Sequence, residues 1–271
     1  MIQIVLDGVW ATIVQFKALP DEHQKALHKA LSFQSLETYF SIQAQSTGWD
    51  GRIHLLRARG WYPAGLTPRV QFVLDKLGYH TEIKQFAKSN NILPLRFNWE
   101  LRAYQQEACD AILSSEVPYG IIHAAPRSGK TVMAAYLISQ IGKFPTLFTC
   151  GTLDIAWQTK RMFEQALDLG TIGGEIGLVA DGRAICKPIT IATTQSLYSA
   201  FNLPLDRDIS TLSKEKQLDI EGKKQVQRLV GLSRVMVGDE IHHSAAYGYQ
   251  QLNRSFKSRE HSIGLSGTPF R

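Results

Sequence analysis

Ala124-Ala125-Pro126-Arg127-Ser128-Gly129-Lys130-Thr131 follows an apolar run, Gly120–His123, and leads into a helix-forming run, Thr131–Ile141. Between a strand and a helix, backbone N–H groups and the helix N-terminus converge on one point, which suits a phosphate group. Lys130 adds a point charge, Thr131 a hydroxyl for Mg2+, and Gly129 permits close backbone approach. Ala124 replaces the glycine that usually opens such a loop, so the full G-x-x-x-x-G-K-[ST] spacing is not met. Alone, Gly-Lys-Thr after a strand is also a common accident.

Two further strand ends weigh against accident. Arg234–Gly238 reads as a buried strand delivering Asp239-Glu240-Ile241-His242 at its carboxyl end, the edge of a parallel sheet where ligands bind. One carboxylate there can hold Mg2+ through water, and a second can take a proton from an attacking water. The plain alternative is a surface acidic pair. His242 and His243 lack the H-E-x-x-H spacing, which argues against zinc. Leu265-Ser266-Gly267-Thr268-Pro269 follows another apolar strand; alone it is an ordinary turn.

The segments around these motifs alternate apolar strand, loop and helix. Candidate strands are Gly120–His123, Thr146–Cys150, Ile189–Ala192, Val235–Val237 and His261–Leu265, with helices over Tyr104–Leu113, Thr131–Ile141 and Ile155–Leu167. That order predicts an α/β domain, a parallel sheet with helices on both faces. The charged segment between Phe201 and Leu232 reads as a solvated helix face or loop.

Upstream the pattern differs. Ile2–Leu6 and Trp10–Phe16 flank an Asp7-Gly8 turn; a helix opens at Pro20 and runs to about Ser32; Arg52–Arg57 is strand-like; Thr67-Pro68 starts a helix with Val70, Val73, Leu74 and Leu77 on one face. This makes a small α+β module, and Lys88–Asn91 with Pro94 marks a linker. The expected domains are 1–95 and 96–271.

At 271 residues, with 44% hydrophobic and 20% charged residues, the chain has the composition of two globular domains. It carries neither an apolar run long enough for a membrane span nor the basic start of a signal peptide, so a cytoplasmic location is expected. Three widely spaced cysteines indicate no disulfide framework. The net charge of +6 fits a polyanionic partner without demanding one; residues 1–98 hold 11 Lys/Arg against 7 Asp/Glu, and residues 99–271 hold 19 against 17.

In their order, the phosphate loop, Asp-Glu-x-His and Ser-Gly-Thr resemble the superfamily 2 helicases of the DExH branch. The resemblance implies a RecA-like P-loop NTPase domain using ATP and Mg2+. Lys130 and Thr131 would hold the β/γ-phosphates and Mg2+, Asp239 would hold Mg2+ through water, and Glu240 would orient or deprotonate the attacking water. His242, Ser266 and Thr268 would couple the nucleotide to DNA. Leu101-Arg102-Ala103-Tyr104-Gln105 is similar to the family's segment upstream of the loop, where Gln105 would read the adenine edge; Arg102, Arg127, Ser128 and Gly129 complete the expected nucleotide contacts. Thr149–Thr152 with Trp157-Gln158, and Ala192–Leu197, are similar to segments that contact the DNA backbone, through Thr152, Thr193 and Gln195. The alternative for the threonines is helix capping. Arg127 stands where glycine is usual, and Gly238 where an aliphatic residue is common.

The first module is similar to the accessory domain of phage UvsW-type recombination helicases, in Thr47–Leu56, Pro63–Leu66 and Gly78-Tyr79. This implies branched or forked DNA and RNA–DNA hybrids as partners, and a host cytoplasm as location. In the same stretch Arg52, Arg57 and Arg59 mix with Trp49, Trp61 and Tyr62; the arginines are expected on DNA and the tryptophans in a small core. The rivals are a DNA-binding or nucleotide-sensing module without motor activity, and a P-loop kinase, which leaves Asp239–His242 and Ser266–Pro269 unexplained. Only three residues follow Thr268, so a second RecA-like domain is expected to be missing, with negligible DNA-stimulated turnover.

Overall fold

Alternation sets the first sheet. Ile2, Ile4 and Leu6 are buried while Gln3, Val5 and Asp7 face outward along β1 (Ile2–Asp7). The computed structural model describes residues 1–8, 10–34, 52–85, 91–201, 213–241, 252 and 255–267. The chain forms two compact units, Met1–Lys88 and Ser89–Arg271. This division lies ahead of residue 95 because Leu93 and Leu95 donate main-chain hydrogen bonds to Gly142 and Ser139 of the second unit.

In the first unit β1 pairs antiparallel with β2 (Trp10–Ile13), β2 with β5 (Trp61–Pro63), and β1 parallel with β6 (Thr81–Gln85). β3 (Ser32–Gln34) and β4 (Arg52–His54) form a separate ribbon. Helices α1 (Asp21–Ala30) and α2 (Thr67–Lys76) bury Leu27, Val70 and Leu74, and Ile4, Ile13 and Tyr62 are buried with them. Three expectations change. The strand from Trp10 ends at Ile13, and Phe16 is the one buried residue of a 3-10 turn; the strand from Arg52 ends at His54; and Trp61 is 50% exposed. Strand alternation explains the last: Tyr62 takes the inward position on β5, so Trp61 faces out opposite Thr12. Trp49 lies outside the described residues.

The second unit is a seven-stranded sheet with order β10-β9-β11-β8-β12-β13-β7: β7 (Tyr119–His123), β8 (Thr146–Cys150), β9 (Gly177–Ala180), β10 (Arg183–Ile185), β11 (Ile189–Thr193), β12 (Val235–Asp239) and β13 (His261–Ser266). All neighbours pair parallel except β9 and β10, a hairpin that the sequence reading omits. Its Asp181-Gly182 turn, with φ of 51° and 70°, is the sequence signature of a tight hairpin. Helices α3 (Ala103–Leu113), α4 (Lys130–Ile141) and α5 (Leu153–Ala166) are accompanied by α6 (Thr194–Phe201) and α7 (Lys214–Leu232). Phe148, Ile191, Val237 and Leu265 pack with α4 and α5 on one face; Leu147, Ala192 and Met236 pack with α6 and α7 on the other. The charged segment is thus the solvated helix α7, with residues 202–212 outside the described set. No described helix is long and apolar enough to cross a membrane.

The sheet edge opposite the motifs is tied by ions. Glu260, just before β13, accepts from Arg234 Nε at 2.7 Å and from Lys143 Nζ at 2.8 Å. Arg234 precedes β12 and Lys143 precedes β8, so one carboxylate joins three strand starts. Burial raises the Glu260 pKa, but the hydrogen bonds from Arg234 and Lys143 outweigh it and hold the carboxyl below its ordinary 4.5. This stabilisation is present above the unfolded value and is lost as pH falls through the folded one. Glu260→Gln leaves two cations without their anion and is predicted to cost about 3 kcal/mol in equilibrium urea unfolding at pH 7. A cost under about 0.5 kcal/mol would place the cluster among solvent-screened pairs.

Candidate nucleotide-binding site

The carboxyl ends of β7 and β12 open on a cleft of about 420 Å³. Arg127, Gly129, Lys130, Thr131, Asp239 and Glu240 line it, so six expected site residues meet in one place. Lys130 is 9% exposed; its Nζ donates to Ala124 O at 3.2 Å and lies 3.8 Å from Glu240 Oε1. Gly129 caps α4 with φ 82° and no side-chain hydrogen bond, leaving the first-turn N–H groups directed at the cleft.

Behind the loop stands Gln105, 5% exposed. Its Oε1 accepts from the Arg102 N–H at 2.9 Å, and its Nε2 donates to Ser128 O at 2.9 Å. Tyr104 Oη donates to the same carbonyl at 2.8 Å. Both ends of the Gln105 amide are therefore engaged in bracing the loop. Arg102 contributes its N–H to the start of α3 and its guanidinium to Tyr104, outside the cleft lining.

Asp239 is held above its ordinary 3.8, first by burial and second by the neighbouring Glu240 carboxylate; the Glu240 N–H and Lys130 act in the opposite direction. The Glu240 N–H donates to Asp239 Oδ1 at 3.1 Å. Arg127 and Glu240 are non-glycine residues at φ 63° and 50°. Ser266 O accepts from Ala124 N at 3.1 Å, and Gly267 O lies 3.1 Å from His123 Nε2. Ser266 and Gly267 therefore rest on the foot of the phosphate loop.

The remaining expected residues are elsewhere. Thr152 lies two residues past the end of β8 and Thr193 ends the neighbouring β11, and each caps a helix: Thr152 Oγ1 accepts from Ile155 N, and Thr193 Oγ1 from Ser196 N. Gln195 is exposed on α6. In the first unit Arg57 and Arg59 are exposed beside the turn before β5, and Arg52 donates to Ser32 O. His242 and Thr268 lie outside the described residues. The sequence reading sets Gln158 in a DNA-contacting segment and assigns no role to Ile155, Thr159 and Met162; these four residues of α5 form one wall of the cleft. Their i, i+3, i+4, i+7 spacing marks one helix face and is the signal that finds them.

A family model described as "Type III restriction enzyme, res subunit" matches residues 98–271. The chain belongs to this family. It is a helicase family, and the second unit is the RecA-like fold that the superfamily 2 resemblance implies. The crystal structure of the UvsW helicase from bacteriophage T4 is similar at 17% identity and a TM-score of 0.68, covering 98% of this chain and 92% of that one. A longer T4 UvsW structure is similar at 16% identity and the same TM-score, and this chain spans 52% of it. At such identities the likeness establishes the shared fold, accessory α+β region included. No curated protein sequence matches the chain significantly.

Helicase-family proteins in general use a nucleotide and a metal ion, and the cleft fits both. The Ser128 hydroxyl is buried without a partner among the described residues, and Lys130, Thr131 and Asp239 bring to the cleft the donor and acceptor groups that a phosphate and its metal ion need. A methyl on Gly129 would face the back of the loop and collide with Gln105 Nε2. Gly129→Ala is predicted to lose about 1–2 kcal/mol from its left-handed backbone alone, plus a collision term. Gln105→Ala should relieve only the collision. A double-mutant cycle by thermal unfolding reads this coupling; strictly additive losses would mean that the amide moves aside freely.

Proposed function

We propose that the chain is the nucleotide-binding and DNA-binding part of an ATP-dependent DNA helicase that remodels branched DNA. The observation that carries this reading is the meeting of Lys130, Thr131, Asp239 and Glu240 in one cleft at the carboxyl edge of a parallel sheet. Bound Mg-ATP supplies the transferable phosphoryl group and the metal charge. The first-turn amides of α4 and the Lys130 ammonium bind the phosphates, with the Ser128 hydroxyl alongside. Thr131 and Asp239 hold the metal, Asp239 through water. Glu240, 41% exposed at its side chain, orients a water and takes its proton. Ser266 and Gly267, hydrogen-bonded to the foot of the loop, carry changes there toward the DNA-facing strand ends, with His242 and Thr268.

Thr152, Thr193 and Gln195, at the ends of β8 and β11, contact the DNA backbone in this reading; small hydroxyl and amide groups bond phosphate oxygens without reading bases. Arg52, Arg57 and Arg59 of the first unit add sequence-independent affinity. Forks, recombination intermediates and RNA–DNA hybrids as substrates, a phage source, roles in DNA recombination and repair, and work in a host cytoplasm rest on the UvsW-type resemblance.

Lys130→Ala is expected to abolish Mg-ATP binding in calorimetry while leaving thermal unfolding cooperative; unchanged affinity would remove the site assignment. Arg57→Ala/Arg59→Ala should weaken all DNA sequences alike and lower the log–log salt slope by about 0.9 per lost contact on duplex. Wild-type behaviour across a salt titration would reduce those arginines to surface charge.

A further inference from the structure

Glu240 owes its place to a bend. β12 ends at Asp239, Glu240 takes φ 50°, and the chain then returns over the sheet at Ile241. The residue under Ile241 is Gly264, on β13, which pairs with β12 in the register Gly238↔Gly264 and Asp239↔Leu265. A Cβ built on Gly264 would collide with Ile241 Cδ1 and would lie 3.0 Å from Cγ2 and 3.2 Å from Cγ1. Turning the Cδ1 methyl away relieves the first of these contacts but not the other two, because a β-branched side chain is stiff at χ1.

We propose that Gly264 is a positioning residue: the hollow left by its missing side chain seats Ile241, and this seat fixes the left-handed bend that presents Glu240 to Lys130 across the cleft. The inference rests on the reading of Glu240 as the group that activates water. Three facts on adjoining residues support it. Ile241, the residue seated there, immediately follows Glu240 in sequence. The bend it follows is a backbone state that costs a non-glycine residue about 1–2 kcal/mol, so something must hold it. And Gly264 stands two residues before Ser266, whose carbonyl bonds the phosphate loop, so one strand sets the height of both sides of the cleft.

The hollow can be overfilled, emptied or refilled. Gly264→Ala overfills it, Ile241→Ala empties it, and the double variant places one methyl where part of the isoleucine was. The measurements are the Glu240 amide resonance by NMR, Mg-ATP affinity by calorimetry, and the single-turnover hydrolysis rate with protein in excess. Glu240→Gln serves as the reference. Each single variant should move the Glu240 amide and slow the basal, DNA-independent hydrolysis to the rate of Glu240→Gln, the loss expected of a displaced general base. Affinity should fall far less than the rate, because Lys130 keeps its carbonyl partners Ala124 and Ala125 on the loop. The double variant should bring amide and rate back toward wild type. An unmoved Glu240 amide in Ile241→Ala, a change that only removes atoms, overturns the proposal, as does a double variant no better than the worse single one. Wild-type hydrolysis in Glu240→Gln would instead overturn the catalytic reading of Glu240, and the amide resonance would still decide the seat.

Discussion

A lysine ammonium almost out of contact with water must be surrounded by negative groups, and the chain around Lys130 is arranged to supply them. The carbonyls of Ala124 and Ala125 take its hydrogens from one side and the Glu240 carboxylate faces it from the other. The loop conformation, the left-handed turn at Glu240 and the brace from Gln105 together hold this cation in place. Its anionic neighbour is only part of what the charge can hold, since Glu240 remains half exposed to the cleft.

The parallel sheet makes that arrangement affordable in structural terms. β7, β13 and β12 are neighbours, and all three release their chains at the same edge. Residues separated by more than a hundred positions therefore fall within hydrogen-bond reach, as Ala124 and Ser266 do. At the opposite edge the strand starts need a tie of their own, and the Glu260 carboxylate with Arg234 and Lys143 provides it. Burial pushes the neighbouring His261 down to about 4, so it stays neutral there and adds no third cation to the cluster.

The strands and helices of the second unit were legible because their signals are local. Thr146–Cys150 is a continuous apolar run, and Lys130–Ile141 begins at a glycine and ends at one. The same holds for the acidic pair and the phosphate loop, whose chemistry is written in consecutive residues. What escaped reading is set by tertiary packing or by alternation too short to register. β9 and β10 total seven residues across a two-residue turn, and β5 and β6 are short strands completed only by β1 and β2. Trp61 shows the limit of composition: its size suggests a core, but its register on β5 turns it outward and hands the core to Tyr62. The α5 wall of the cleft was missed for another reason. Gln158 sits beside Trp157, which stacks under Arg183 at 5.2 Å, and only the helix period separates the cleft-facing residue from the packing one.

Four described non-glycine residues take a positive φ, and two of them, Arg127 and Glu240, line the cleft. Each such residue costs on the order of 1–2 kcal/mol, and strain of this kind persists only where the surroundings over-determine it. For Arg127 the surroundings are the two hydrogen bonds that Gln105 and Tyr104 make to Ser128 O, one residue on. For Glu240 they are the Asp239 carboxylate that takes its N–H and the packing of Ile241 on β13. The usual glycine of such loops is thus unnecessary at Arg127: the position demands a left-handed backbone, and the brace behind it holds a residue with a side chain in that state. The exposed guanidinium that results puts a second cation at the mouth of a cleft already built around one, and the charge of the site rises without any change in its backbone.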